Sequence, residues 1–153
     1  LFHNQLINNK PLTITNPEMT RFMMTLENAV ELVLYAFENG ESGDIFVQKA
    51  PSSTIGQLAD VMKDIYKSKS EIKKIGVRHG EKMHETLLSK EERLISEDLN
   101  NYFRIPADNR DLNYEKYFEK GQKIDLSEEF NSFNTERLSN ELLTDLLASI
   151  GYK

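Results

Sequence analysis

Eight consecutive residues, Arg78-His79-Gly80-Glu81-Lys82-Met83-His84-Glu85, carry the densest set of reactive side chains in the sequence. Two imidazoles, two carboxylates, a guanidinium and an ammonium surround one glycine, directly after the strand-like run Ile72 to Val77. Polar groups presented where a strand opens into a glycine turn suit an anionic ligand. The planar fork of Arg78 can meet a phosphate or a carboxylate through two donors at once. Metal chemistry fits poorly. The zincin pattern requires His-Glu-x-x-His, whereas His84-Glu85 is followed by Thr86-Leu87-Leu88. Glu81 and Glu85, four apart, could pair for acid–base work, or could stand as a solvated helix start bridged to Lys82.

Other catalytic patterns are missing from the sequence. There is no cysteine, so thiolate nucleophiles, disulfides and thiolate metal sites are excluded, and a reducing cytoplasm is compatible. No Gly-x-Ser-x-Gly elbow and no Gly-x-Gly-x-x-Gly fingerprint occurs; Gly40 and Gly43 read as a turn. No tyrosine is followed four places on by a lysine. Residue chemistry alone therefore leads to an α/β portion with an anion-binding arginine turn, and no catalytic, cofactor-binding or metal-ligating residue is assigned.

The elements that must position this turn follow from periodicity. Phe2 and Leu6, with Ile7, mark one side of an amphipathic helix already under way at the first residue, so the chain is expected to be a fragment. Pro11 to Thr15 reads as a short strand closed by Asn16-Pro17. Thr25 can cap a helix to about Glu38 with Ala29, Leu32, Val33, Ala36 and Phe37 at core spacing, ended by Asn39-Gly40. Asp44 to Gln48 is a second strand. Thr54-Ile55-Gly56-Gln57 is a capping box for a helix with Ile55, Leu58, Ala59, Met62 and Ile65 inward. Ser89-Lys90-Glu91-Glu92 opens another, and Tyr102 to Pro106 reads as an edge strand because proline ends it. Ala107 to Asp125 lacks periodicity and is expected to form a mobile loop carrying Tyr114, Tyr117 and Phe118. Ser139 to Ile150 predicts a last helix burying Leu142, Leu143, Leu146, Leu147 and Ile150, stopped by Gly151. Strands alternating with helices give an α/β class.

Composition bounds the partners. A chain of 153 residues with 39% hydrophobic and 29% charged content can bury a core and is not of the disordered type. No apolar run approaches the roughly 20 residues of a bilayer span, and a net charge of −6 argues against nucleic acid. From Lys63 to Lys82 the balance reverses, with seven basic residues against three acidic ones. For the lysines a solvated face is the plainer reading; Arg78 stands apart because of its geometry.

Two segments carry a resemblance. Thr15-Asn16-Pro17-Glu18-Met19-Thr20-Arg21-Phe22, followed by a capped apolar helix, resembles the Met-Thr-Arg-Phe segment of the nucleotide-sugar 4,6-dehydratases of polysaccharide biosynthesis, an extended short-chain dehydrogenase/reductase family. The run Arg78 to Leu87 resembles their Arg-x-Gly-Glu-Lys-x-His-Glu-x-Leu signature, in the expected order. Gly43-Asp44-Ile45-Phe46 and Thr54 to Ala59 lie between the two. The likeness covers most of Leu1 to Glu92 and, more loosely, Tyr102 through Ser132 to Leu147. It is nearest to the UDP-N-acetylglucosamine 4,6-dehydratases with 5-epimerase activity of capsular polysaccharide biosynthesis.

That resemblance implies a C-terminal, substrate-binding portion of such an enzyme, with strands that would complete a Rossmann sheet. Residues 1–101 would form the substrate-binding domain and the final sheet strands, and residues 102–153 a C-terminal extension with a mobile arm and a terminal helix. Arg21 and Arg78 would hold the UDP pyrophosphate, Glu81 would accept hydrogen bonds from the ribose hydroxyls, and Phe2 would lie near the uracil. For Arg21 a salt bridge to Glu18 or Glu27, and for Phe2 plain core packing, remain the simpler alternatives. His84 and Glu85 would hold the turn. NADP and the catalytic Tyr-x-x-x-Lys would belong to residues preceding Leu1, so the piece alone would be inactive. The whole would be a cytoplasmic homo-oligomer, a hexamer in the family, using the C-terminal extension. A UDP-hexose 4-epimerase, a plain binding module and an oligomerisation arm over Ala107 to Phe133 are the rival readings.

Overall fold

Main-chain amides at the start of one helix are taken up by a proline turn, and much of the fold is organised around that junction. The computed structural model describes residues 1–107 and 128–152. In chain order the elements are α1 (Phe2–Ile7), β1 (Leu12–Ile14), β2 (Thr20–Phe22), α2 (Leu26–Asn39), β3 (Ile45–Gln48), β4 (Ser52–Thr54) and α3 (Ile55–Ile65). They continue with β5 (Ile72–Lys74), β6 (Thr86–Leu88), α4 (Lys90–Ile95), β7 (Glu97–Leu99), β8 (Tyr102–Ile105), β9 (Phe130–Asn131) and α5 (Asn140–Ser149). Two compact units result. One draws on Leu1–Thr25, Ala50–Glu85 and the stretch from Asn131 onward, the other on Leu26–Lys49 and the stretch from Thr86 to Phe130.

In the first unit β1 pairs in parallel with β5, Leu12 opposite Ile72, and β2 pairs antiparallel with β4, Arg21 opposite Ser53. Parallel pairing of strands separated by a helix is what an α/β chain does, and the α/β class holds. Helix α3 begins where three donors find acceptors outside it. Ile55 N–H donates to Met19 O (2.8 Å), Gly56 N–H to Pro17 O (2.9 Å) and Gln57 N–H to Thr54 Oγ1 (3.0 Å). These amides would otherwise be orphaned at a helix start. Glycine is needed at 56 because a Cβ there would come within 3.0 Å of the Pro17 Cβ. The expected capping box is thus half formed: Gln57 sends its side chain to Leu138 O (2.8 Å) instead of back to Thr54. At Ser89 both halves of the box are present.

The core of this unit packs Leu6, Leu12, Ile14, Ala59, Val61, Met62, Leu138, Leu143 and Leu147, with Phe2, Ile55, Leu58 and Ile65 against it. Helix α3 buries the expected face and adds Val61. In α5 only Leu143 and Leu147 are buried and Leu146 is half-buried, whereas Leu142 and Ile150 are half exposed. A ten-residue helix lying on one neighbour covers a narrower stripe than five apolar positions suggest. Ile7 is likewise 55% exposed, because α1 ends there and only Leu6 turns inward.

The second unit is built on the antiparallel order β3-β8-β7, with β6 paired to β9. Its buried cluster is Leu88, Phe103 and Ile105, supported by Val47 and Phe130. Strand β8 is therefore central, not the edge strand expected from Pro106. The proline follows the last paired residue, Ile105, so its missing N–H costs the ladder nothing. The expected division at 101/102 falls inside the β7–β8 hairpin, at a turn where Asn100 adopts φ 62°. The strand expected to run to Val77 stops at Lys74. The aromatics Tyr114, Tyr117 and Phe118 lie outside the described residues.

Helix α2 corrects another expectation. None of its residues is buried, and Leu26, Val30, Val33, Leu34 and Phe37 are half to four-fifths exposed. Ala29, Leu32 and Ala36 do face inward in part, but the inner stripe continues through Tyr35, not Val33 and Phe37. Tyr35 stacks on Tyr102 with centroids 4.3 Å apart and meets Phe46 edge-on at 5.7 Å, which rotates the helix by about one residue.

Charges reinforce the small cluster. Arg104 Nε donates to Asp44 Oδ2 (2.7 Å), with Glu97 (3.4 Å) and Glu41 (3.8 Å) on its other nitrogens. Asp44 also accepts the main-chain N–H of Glu41 (2.9 Å) and of Ala107 (3.2 Å). The Glu41 amide foremost, then Arg104 and Ala107, hold the Asp44 carboxyl below its ordinary value of 3.8. Lys49 and Arg93 both lie over the Phe103 ring, at 4.5 and 3.9 Å, and Lys49 is paired with Asp98.

Two outcomes follow. A lowered folded pKa contributes stability that is present above 3.8 and is lost as pH falls through the folded value. Asp44→Asn is therefore expected to lower the urea midpoint at pH 7, by an amount that shrinks as the pH is brought below 3.8; equal midpoints at pH 7 would refute the role. Leu143→Ala, at a fully buried position, should lose about 2–5 kcal/mol in urea unfolding.

Candidate functional site

The turn carrying Arg78 and Glu81 hangs between two anchors. At its near end Ile75 N–H donates to Ile14 O (2.8 Å), continuing the β5–β1 pairing by one residue. The chain then leaves regular structure until Glu85. Gly76 and Gly80 take φ of +82° and +83°, in open space, where a side chain would be strained. Between the glycines and Lys82 the turn closes on itself: Glu81 N–H donates to Arg78 O (3.1 Å), and Arg78 N–H to Glu81 Oε2 (3.2 Å). Arg78 is exposed and Glu81 half-buried. Among the described residues the Arg78 guanidinium makes no ion pair, which leaves its fork directed at solvent.

The far anchor is Arg21. It stands on β2, whose pairing with β4 fixes its direction. Its guanidinium crosses to the segment just after the turn. Nη1 donates to Thr20 O (2.7 Å) and Met83 O (3.4 Å), Nη2 to Lys82 O (3.2 Å), and Nε faces Glu85 Oε1 at 3.4 Å. Thr20 N–H adds a bond to Met83 O (3.0 Å). Neither Glu18 nor Glu27 is the partner; Glu85 is. Arg21 thus acts as a cross-brace whose charge sits beside the turn, with each of its three nitrogens engaged inside the chain.

Behind the brace lies a buried polar network. Thr20 is 1% exposed and Ser132 0%, and their hydroxyls are 2.6 Å apart. Thr20 Oγ1 is hydrogen-bonded to His84 Nδ1 (2.8 Å), and Phe133 packs on the His84 ring at 4.8 Å. His84 is thus tied through Nδ1 to the buried Thr20 hydroxyl and packed against Phe133. Sequence reasoning missed Ser132, for a physical reason. Its partner Thr20 lies 112 residues away, and nothing local to Asn131-Ser132-Phe133-Asn134 marks the serine as buried.

Phe2 lies elsewhere. It lines an apolar cavity of about 360 Å³ with Leu1, His3, Ile55, Leu58 and Met62 among others, and none of Arg21, Arg78 or Glu81 lines it. Its contacts are those of core packing. The structure thus ties Arg21 to the main chain at Lys82 and Met83 and to Glu85, ties Arg78 to Glu81 within the turn, and places Phe2 in a cavity that none of the three lines. Among the described residues no group of three or more His, Asp or Glu could hold a metal ion, and no helix is long and apolar enough to cross a membrane.

Comparison with known proteins agrees with this architecture. Residues 1–107 match the family described as polysaccharide biosynthesis protein, and residues 108–152 match its C-terminal counterpart, described as polysaccharide biosynthesis protein C-terminal. A protein of Rickettsia bellii named UDP-glucose 4-epimerase is 56% identical over 153 residues, and one of Rickettsia rickettsii with the same name is 55% identical. Each alignment covers 99% of this chain but 45% of the relative, so the chain spans less than half the length of these relatives. The X-ray structure of Pen from Bacillus thuringiensis superposes with a TM-score of 0.77 at 29% identity, over 99% of this chain and 44% of Pen. The chain belongs to the polysaccharide biosynthesis protein family.

Proposed function

We propose that this chain is the UDP-sugar-binding, C-terminal portion of a nucleotide-sugar-modifying enzyme, a UDP-N-acetylglucosamine 4,6-dehydratase with 5-epimerase activity. The observation that carries the reading is the self-closed Arg78–Glu81 turn, with an exposed guanidinium that pairs with none of the described residues and a carboxylate on it, in a segment braced by Arg21. A diphosphate is the ligand such a turn fits. The Arg78 fork would make charge-assisted contacts to the pyrophosphate, with the Arg21 charge beside it. The half-buried Glu81 carboxylate, an acceptor with an oxygen left over from the Arg78 amide, would take the ribose hydroxyls. Phe2 would approach the uracil only if its cavity opens toward the ligand. Among the described residues β5 leads into Gly76 and Gly80 and not into a helix, and on this reading NADP would be held by residues outside this chain. Assembly into a homo-oligomer is part of the same proposal.

A second reading is favoured by the names of the relatives. At 53–56% identity the Rickettsia proteins are called UDP-glucose 4-epimerase. Both reactions need the same grip on the nucleotide and differ at the sugar carbons.

An NMR titration of this chain with UDP should shift the amides of residues 78–85. Arg78→Ala should weaken that binding by about 1–3 kcal/mol, as loss of a charge-assisted hydrogen bond does; no shifts in the wild type would overturn the proposal. To separate the two reactions, the intact enzyme of which this chain is proposed to be the C-terminal portion is assayed with each UDP-sugar. Conversion of UDP-N-acetylglucosamine to a 4-keto-6-deoxy sugar supports the dehydratase. Interconversion of UDP-glucose and UDP-galactose alone supports the epimerase.

A further inference from the structure

Ser132 is the point where the C-terminal stretch meets the candidate site. Its main-chain N–H donates to Glu85 O (2.8 Å), and its hydroxyl accepts the Glu85 N–H (2.9 Å), so Glu85 is clipped through both sides of its main chain. The same hydroxyl donates toward Thr20, 3.1 Å from its carbonyl and 2.6 Å from its Oγ1. The Thr20 proton is then free for His84 Nδ1. Ser132 therefore grips the two residues that set Arg21: Thr20, its chain neighbour and a carbonyl partner, and Glu85, its ion partner.

We infer that Ser132 is a positioning residue for the Arg78–Glu81 turn. It touches no ligand-facing group and acts through Thr20, Glu85 and Arg21 on the main chain at Lys82 and Met83. The geometry of the suspension is the reason. Residues 75–85 contain no helix or strand, and the bonds that tie them to the rest of the unit lie at Ile75 and at 82–85. Ser132 fixes Thr20 and Glu85, two members of the second tie, so its loss loosens the far end of the turn. Serine also fits where other side chains do not. The site is fully buried, so a larger residue must displace its neighbours, and alanine would leave the Glu85 amide without its partner and the Thr20 hydroxyl with His84 alone. The matched C-terminal family segment, 108–152, thereby supplies part of the site borne by the segment matched over 1–107.

This inference rests on reading the turn as a UDP site, and its test has a second arm that does not. Ser132→Ala and Thr20→Val are compared with Leu143→Ala, a core variant whose lost stability is unconnected to the turn. UDP affinity should fall about tenfold in the first two and stay unchanged in the third, the loss of one or two buried hydrogen bonds being worth that much. Thr20→Ser, which restores the hydroxyl, should recover the affinity that Thr20→Val loses. Amide hydrogen exchange over residues 78–85 should quicken in Ser132→Ala while α5 keeps its protection. If Ser132→Ala binds UDP no worse than Leu143→Ala, and exchange over 78–85 is unaltered, Ser132 is only a structural residue. If the wild type does not bind UDP, the functional reading falls and the exchange arm alone decides.

Discussion

A pair of hydroxyls sealed from water, Thr20 and Ser132, joins segments 112 residues apart, and the first unit depends on that junction. Buried hydroxyls are unfavourable unless each finds a partner, and here they find each other, a carbonyl, an amide and an imidazole. The stretch that brings Ser132 is stitched down further along. Thr135 Oγ1 donates to Ala50 O (2.9 Å), Ser52 N–H to Glu136 O (2.8 Å) and Leu138 N–H to Ser52 O (2.9 Å). It then passes through Gln57 into α5, whose Leu143 and Leu147 complete the core. The stretch from Asn131 onward is thus hydrogen-bonded into the first unit.

The two units solve the stability problem differently. The first has nine buried apolar residues around α3, enough for burial to dominate. The second, among the described residues, has three in its cluster. Its sheet is held in addition by Arg104 among Asp44, Glu97 and Glu41, and by two cations over the Phe103 ring. Asp44 is the member that matters most, because its carboxylate is 3% exposed and already satisfied by two amides, so little side-chain freedom is lost in pairing with Arg104. Glu41, 85% exposed at 3.8 Å, adds little.

Legibility followed the range of the forces involved. The capped helices α3, α4 and α5 were readable because Thr54, Ser89 and Ser139 act on amides three residues away. The class and the turn at Gly80 were readable from short motifs. The inner face of α2 was not, since Tyr35 is turned by Tyr102 and Phe46 on strands far along the chain. The centrality of β8 was not, since strand order is a matter of pairing and Pro106 speaks only for its own N–H. Three-residue strands such as β2 and β4 leave no period to detect.

The distribution of donors around Arg21 explains why a site of this kind can be built with two arginines doing different work. A guanidinium whose two terminal nitrogens donate to carbonyls and whose Nε faces a carboxylate is a rigid strut that happens to carry charge. It orders the Lys82–Met83 main chain without competing with a ligand for geometry. The second guanidinium, on a turn closed by its own Glu81, then needs no helix or strand beneath it to be held ready. Binding energy gained on the part of a nucleotide sugar that does not react can be used to orient the part that does. On the proposed reading, the rigidity of the strut decides how much of that energy reaches the sugar.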